Sequence, residues 1–399
     1  MQQTAMTHCF LSSDSFASPL AWGKSSKPPD TLDPPGDKMR NAYRSNPFGL
    51  PVIVAEGRSR RPHTARRHAA HTPPDDTNPS HDKNCPFCPG NEDQTPPEIA
   101  AHAKEDQKDR APNTPGWTAR VIPNLYPALT PDTSTPDSST PDTSTPDILS
   151  SSKILPCNSQ PARGLHEVSI HSPDHTGRLC TLSDHALANT VTIWQERLHA
   201  HRAEGWAATT LIVNEGKEAG ASLAHPHAQL FATDVVPPAV QHEITLLQVW
   251  TAQHKGCLLE ATVQAEQNGP RMIDREGSLV AWAPYWASVP YEVWIAPAPQ
   301  HTTPSTANNT THGAFADSPH ITEFATLLAR TTRRIETAAN DPAINLVLRD
   351  PLHQTGEGAP WHVRILPRTS IAAGFELATG VRIVTISPET AAEHLREAL

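Results

Sequence analysis

Basic charge, long apolar runs and aromatic side chains are all scarce in this chain, and each scarcity excludes something. With 32 Lys and Arg against 42 Asp and Glu, the net charge is −10, which argues against a general nucleic-acid binder with a basic face. An anionic small molecule remains a candidate substrate if positive charge is gathered locally. No apolar run approaches the ~20 residues needed to span a bilayer. The start, MQQTAMTHCFLSSDSF, lacks the basic opening and continuous apolar stretch of a signal peptide. Six cysteines in 399 residues do not make a disulfide framework, and two of them stand as Cys85-x-x-Cys88. The cytoplasm is therefore the expected compartment. Aromatics are 5% and hydrophobic residues 37%, while prolines number 41, so a sizeable part of the chain is expected to lie outside any packed core.

The length suits one large or two ordinary domains. Residues 1–43 mix Ser, Pro, Asp and Lys without periodicity and read as a disordered tail. A first unit is expected over 44–236, interrupted at 130–155 by a low-complexity insertion in which Thr-Pro-Asp recurs every five residues. A second unit covers 237–399. Within the first, strand His166–His171 is followed by a turn, Ser172-Pro173-Asp174-His175. A helix then starts at the N-cap candidate Ser183 and ends near Glu204, with Leu187, Val191, Trp194 and Leu198 on one face. Strand Thr209–Asn214, a glycine loop and strand His225–Ala232 complete it. The second unit repeats the order with strand Tyr291–Ile295, helix Ile321–Ala339 and strands Ile344–Arg349 and Trp361–Leu366. Helix Ala239–His254 and a hairpin over Asn268–Ala283 join the two. The repetition predicts two related α+β units packed into one molecule, with a cleft where their sheets meet.

The chemistry concentrates in Asn214–Ala232. Gly216, Gly220 and Ser222 form a loop through which a phosphate can approach the backbone closely. In the strand that follows, His225, His227 and Gln229 alternate onto one face. A histidine-rich surface strand is the competing reading in a chain with 22 histidines, and the pieces of a site found elsewhere weigh against it. Cys85 and Cys88 offer two thiolates at a spacing that tetrahedral zinc accepts. His175 and His225 are the best partners for them, giving a closed, structural Cys2His2 site. His227 is then left as the functional imidazole, able to attack a phosphoanhydride and form a phosphoramidate. Gln229 can donate to a phosphoryl oxygen, and so can Ser222 and the loop amides. Arg58 and Arg61 could add positive charge.

Five separated motifs occur together: His225-Pro226-His227-Ala228-Gln229, the CPFC knuckle at 85–88, SPDH at 172–175, PNLYP at 123–127 and the C-terminal WHVRILPRTSIAAGFELATG. Together they resemble the galactose-1-phosphate uridylyltransferases, the transferase branch of the histidine-triad (HIT) superfamily, across roughly residues 44–395 apart from the inserted loops. The resemblance implies an α+β fold of two HIT-like half-domains, with antiparallel sheets and crossing helices packed as one molecule. It implies His227 as the nucleophile that carries a nucleoside monophosphate, with Gln229 on the phosphoryl group. Cys85, Cys88, His175 and His225 would ligate zinc. Arg58, Arg61, Asn124 and Asn214 would contact the nucleotide, and Glu376 the sugar hydroxyls. The implied reaction is ping-pong transfer from UDP-glucose to galactose 1-phosphate, in a protein that could be a homodimer with shared sites.

Three departures qualify this. The family's second metal site maps to Glu243, with His353 and His362 as candidates, but Arg364 stands where a further ligand would be, and a fixed cation opposes a metal. The family's Asn-Asp pair is Asn124-Leu125 here. The AGFELATG ending also resembles relatives acting on ADP-glucose and inorganic phosphate. An ADP-glucose phosphorylase-like enzyme is therefore the alternative, ahead of a silent HIT-type nucleotide-binding module or a HIT hydrolase, whose third histidine is Gln229 here.

Overall fold

The computed structural model describes residues 42–45, 51–54, 81–131, 159–299, 313–352 and 360–399. In chain order come β1 (Ala42–Ser45), β2 (Pro51–Val54), β3 (Ala100–Ala103), β4 (Trp117–Pro123), β5 (Ser159–Pro161), β6 (Gly164–Ile170) and α1 (Asp184–Ala203). Then follow β7 (Ala208–Glu215), β8 (His227–Thr233), α2 (Pro238–His254), α3 (Leu258–Glu266), β9 (Met272–Glu276), β10 (Leu279–Trp282), β11 (Val293–Pro297) and α4 (Ile321–Ala338). The chain closes with β12 (Ile344–Arg349), β13 (His362–Pro367), α5 (Gly374–Thr379) and α6 (Pro388–Glu397). Strand β1 takes up the last two residues of the expected tail. The rest of that tail and the Thr-Pro-Asp repeats beyond Pro131 lie outside the described residues. No described helix is long and apolar enough to cross a membrane.

Strands β1, β2 and β5 form a small antiparallel sheet, and the other ten form one antiparallel sheet in the order β3-β4-β6-β8-β7-β12-β13-β11-β10-β9. Read outward from its centre, each half of the large sheet gives the same sequence of equivalent strands. The seam is the antiparallel pair β7–β12, where Ile212 faces Val347. Moving 135 positions along the chain converts one hairpin into the other: Val213 pairs with Ala228 in β7–β8, and Leu348 with Val363 in β12–β13. A pseudo-twofold axis therefore passes through the Ile212–Val347 pair, perpendicular to the sheet. The expected pair of sheets meeting at a cleft is corrected here. The halves join edge to edge because β7 (ATTLIVNE) and β12 (INLVLR) are both rich in branched apolar residues and suit the sheet centre.

Helices α1 and α4 pack together across one face of the sheet. The Ser183 hydroxyl accepts from the Ala186 N–H at 3.2 Å, capping α1 as expected. Leu187, Val191, Trp194 and Leu198 on α1 and Phe324, Leu327, Leu328 and Ile335 on α4 are fully buried. They meet Leu211, Val213, Leu346 and Leu348 from the central strands in one continuous core. Separate smaller clusters cover the opposite face. Cys85, Phe87, Cys88 and Trp117 cover Ile122, Val168 and Ile170 on the first half, and Leu259 and Val263 of α3 cover Val280, Trp282 and Ala296 on the second. Helix α3 is absent from the sequence reading because nine residues hold too few turns to establish a period.

Deleting Leu328 beyond Cβ leaves a void between the paired helices that rigid neighbours cannot fill. Leu328→Ala is expected to cost about 2–5 kcal/mol, seen as a lower thermal midpoint. An unchanged midpoint would contradict the shared core.

Candidate active site

The knuckle Asn84–Glu92 is a chain of tight turns. The Cys85 N–H donates to the Asp82 carbonyl at 3.0 Å, and the Cys88 N–H to the Cys85 carbonyl at 3.1 Å. The Asn91 amide closes on the Cys85 carbonyl at 2.8 Å, and Gly90 takes φ +93°, a conformation that favours glycine. Glu92 ties the knuckle to the sheet by accepting from the Gly90 N–H and from the Trp117 indole, both at 2.8 Å. These turns aim both sulfurs at β8 and at the turn after β6.

Four donor atoms converge there. Cys85 Sγ is 3.8 Å and Cys88 Sγ 3.6 Å from His225 Nδ1, and Cys88 Sγ is 3.4 Å from His175 Nδ1. A tetrahedron with ligand bonds of roughly 2.0–2.3 Å has edges of about this length. His225 Nε2 lies 2.8 Å from the Ser172 carbonyl. A carbonyl only accepts, so Nε2 carries the proton and Nδ1 offers its lone pair to the cluster. Burial pushes His225 down to about 3, keeping it a neutral ligand, and pushes the Cys85 thiol up to about 12. Thiolates are costly at such a place unless a cation balances them. These four are the metal-competent group of cysteine, histidine and acidic side chains among the described residues. They fit a closed site with no position left for substrate.

The same peptide sets the next histidine. His227 Nδ1 lies 2.8 Å from the carbonyl of His225, so Nδ1 carries the proton and Nε2 the lone pair. The Phe87 ring packs edge-on against His227 with centroids 5.5 Å apart. Gln229, on the same face, points Oε1 at His166 Nε2, 2.9 Å away. His166 Nδ1 accepts from the Ala128 N–H at 2.9 Å, so Nε2 holds the proton and donates to Gln229. This arrangement turns the Gln229 NH2 away from His166. Phe231 stacks on His166 with centroids 4.1 Å apart, and the Asn124 Oδ1 accepts from the Tyr126 N–H at 2.8 Å beside it.

His227 and Gln229 open onto a cavity of about 140 Å³, whose walls include Phe87, Ile122, Asn124, Leu125, Tyr126, Val168 and Ser222. Gly216 and Gly220 have φ near +88° and +85°, so the loop bends as its glycines suggest. Asn214 follows Val213, the partner of Ala228, near the end of β7; its side-chain Oδ1 accepts from the Asn345 amide at 2.8 Å. Glu376 is not on the cavity wall and accepts from the Ala373 N–H at 3.0 Å. Arg58, Arg61 and His353 lie outside the described residues. His166, Phe87 and Tyr126 were missed as site residues. The available signal for His166 was a lone imidazole two positions from Val168 in an otherwise apolar strand face.

Of the residues marked for a second metal, the two that are described, Glu243 and His362, do not fit one. Glu243 is engaged by Arg349 at 3.3 Å. His362 stacks on Trp294 with centroids 4.7 Å apart and planes 6° from parallel. The Arg364 guanidinium lies over the same Trp294 ring, 5.2 Å from its centroid. Two guanidinium groups beside one imidazole and one already paired carboxylate repel a divalent cation.

Replacing a sulfur ligand tests the first cluster. Cys88→Ser is expected to abolish stoichiometric metal in the purified protein and to lower the thermal midpoint. A variant that keeps both the metal content and the midpoint of the wild type would remove the cluster's structural role.

The family described as "Galactose-1-phosphate uridyl transferase, N-terminal domain" matches residues 35–237. ADP-glucose phosphorylase from Arabidopsis thaliana is 29% identical over 354 residues, covering 87% of this chain and 89% of that protein. Galactose-1-phosphate uridylyltransferase from Cryptococcus neoformans is 26% identical over 379 residues, covering 89% and 90%. The X-ray structure of a GalT-like protein from Arabidopsis thaliana superposes with a TM-score of 0.61 at 26% identity, over 80% of this chain and 93% of that one. With the His-Pro-His strand, the knuckle and the SPDH turn all inside the matched span, the chain belongs to the galactose-1-phosphate uridyl transferase family of nucleotidyltransferases.

Proposed function

We propose that the protein transfers a nucleoside monophosphate between sugar phosphates through a covalent nucleotidyl-His227 intermediate. The observation that carries this is the 2.8 Å contact between His227 Nδ1 and the His225 carbonyl, which leaves the Nε2 lone pair as the nucleophile. Nε2 attacks the α-phosphorus of a nucleoside diphosphate glucose. The bond from that phosphorus to the bridging oxygen breaks, and glucose 1-phosphate departs with the electron pair. A sugar phosphate is a weak base, so no proton needs to be delivered to it. The positive charge left on the imidazole is shared with the His225 carbonyl through Nδ1–H. An acceptor phosphate oxygen then attacks the same phosphorus, and His227 leaves with its lone pair restored. The Gln229 NH2, oriented by His166, donates to a non-bridging oxygen, and Ser222 and the glycine-loop amides can supply further donors. Zinc is the metal whose geometry suits Cys85, Cys88, His175 and His225. Cys85, Cys88, His175 and His225 would hold it, and bound there it would fix the peptide between His225 and His227.

UDP-glucose as donor and galactose 1-phosphate as acceptor is the first reading, in line with the family. ADP-glucose with inorganic phosphate as acceptor is the second. It is favoured by Leu125, 58% exposed on the cavity wall where the family carries an acidic residue, and by the extent of the likeness to the Arabidopsis phosphorylase. The cytoplasm is the compartment in which either donor would be met.

We also propose that two copies share their sites. Glu376 sits in a C-terminal stretch whose apolar side chains face outward, with Ile371 94%, Leu377 78% and Phe375 53% exposed. A second copy laid over this stretch would cover them and bring Glu376 to a sugar in its partner's cavity.

His227→Asn is expected to abolish turnover while the thermal midpoint and metal content stay at wild-type values; retained turnover would sink the mechanism. His166→Phe keeps an aromatic ring against Phe231 but loses the donor to Gln229. It is expected to lower kcat about 10–100-fold with KM little changed, and His166→Gln should recover part of the loss. An equal loss in both variants would reduce His166 to a packing role. Mixing inactive His227→Asn with inactive Glu376→Ala should restore activity through hybrid dimers. A mixture that stays inactive would rule out the shared site.

A further inference from the structure

The pseudo-twofold axis has a consequence on the sheet face opposite α1 and α4. Carried across it, His227 becomes His362, the first residue of β13, and Gln229 becomes Arg364. Val168, which pairs with Gln229, becomes Trp294, which pairs with Arg364. The cavity above His227 likewise has a counterpart. A cavity of about 320 Å³ lies over His362 and Trp294, closed by α2 and α3 where the knuckle covers the first half. That volume falls among small-molecule sites, which run roughly 300–1,000 Å³.

The walls state what would fit. Leu247, Leu258 and Leu259 line one side, and on another the Trp286 indole is 51% exposed. Arg349 reaches the cavity, but Glu243 faces it at 3.3 Å and the Asp350 carbonyl accepts from it at 2.8 Å. The two side chains cancel in charge, so the wall offers no net attraction to a phosphate. His362 is 5% exposed, and neither of its ring nitrogens has a hydrogen-bond partner among the described residues. Its one ring contact is the stack on Trp294. Burial and the nearby Arg349 and Arg364 hold its pKa down to about 3. At neutral pH it is therefore an imidazole on the cavity wall that can offer one donor and one acceptor to a molecule there.

We infer that this second cavity is a binding site for a neutral, planar heteroaromatic ring, of the nucleobase or nucleoside class. The ring stacks on Trp286, and its edge hydrogen-bonds to His362. The site does not depend on the chemistry at His227.

Equilibrium dialysis of the full chain with uridine and with adenosine tests this, using the wild type, Trp286→Ala and Thr262→Phe. Trp286 is half exposed, so its loss should leave the fold intact. The second substitution fills the cavity from α3. The expected result is saturable binding of at least one nucleoside, weakened about tenfold or more in both variants, a change of 1.4 kcal/mol. Both variants should keep the wild-type thermal midpoint and His227-dependent turnover. Inorganic phosphate and glucose 1-phosphate should not compete for this component. Three results would overturn the inference: no saturable nucleoside binding, binding that both variants retain in full, or competition by phosphate. Loss of turnover in His227→Asn bears on the proposed reaction alone, and the dialysis result in that variant still decides the second cavity.

Discussion

Two hydrogen bonds on either side of one proline organise the site. The Ser172 carbonyl takes the Nε2 proton of His225, and the His225 carbonyl takes the Nδ1 proton of His227. The first turns Nδ1 of His225 toward the two sulfurs. The second turns the lone pair of His227 toward the cavity. Each carbonyl can only accept, so each imidazole has one tautomer open to it, and the two rings face opposite tasks across a three-residue span. Stiffness at that peptide follows from what surrounds it: the sulfur cluster on one side, Phe87 against both rings and the β6–β8 pairing below. In the proposed mechanism the knuckle serves the reaction from outside it, by holding a backbone carbonyl in place.

The same hairpin occurs twice in the chain, and the halves have diverged on one face only. The helix face is a single core that runs across the seam, and it constrains both copies alike. The other face is free to differ. Over the first half it carries a metal-competent knuckle, a glycine loop and a donor carboxamide. Over the second it carries two indoles, a stacked imidazole and an ion pair between Glu243 and Arg349. Replacement of Gln229 by its counterpart Arg364 changes an aligned neutral donor into a cation bound to Trp294 and Glu292. The proposed phosphoryl chemistry uses the first half, although both halves place a histidine at the start of the same strand.

Much of the site was legible because it is local. C-x-x-C, His-Pro-His and Ser-Pro-Asp-His each hold their functional atoms within a few residues, and strand alternation alone puts His225, His227 and Gln229 on one face. The repeated strand–helix–strand–strand order was legible for the same reason, since each helix and strand carries its own period. Pairing across the seam was not. The apolar stretches of β7 and β12 signal central strands, but nothing in either names its neighbour, and the expected cleft between two sheets followed from that gap. His166 escaped because its role depends on Ala128 and Gln229, 38 and 63 positions away. The misfit of the second metal was half visible in Arg364. Its other half, the Arg349–Glu243 pair, is long-range and required the fold.

Mass measurement of the intact protein after brief exposure to UDP-glucose or ADP-glucose, without acceptor, tests the covalent role of His227 most directly. The account predicts a gain equal to one nucleoside monophosphate with one of the two donors, absent in His227→Asn and removed by the matching acceptor. A gain equal to UMP selects the uridylyl reading, and a gain equal to AMP the phosphorylase-like one. Turnover without any adduct, or an adduct that persists in His227→Asn, would contradict it.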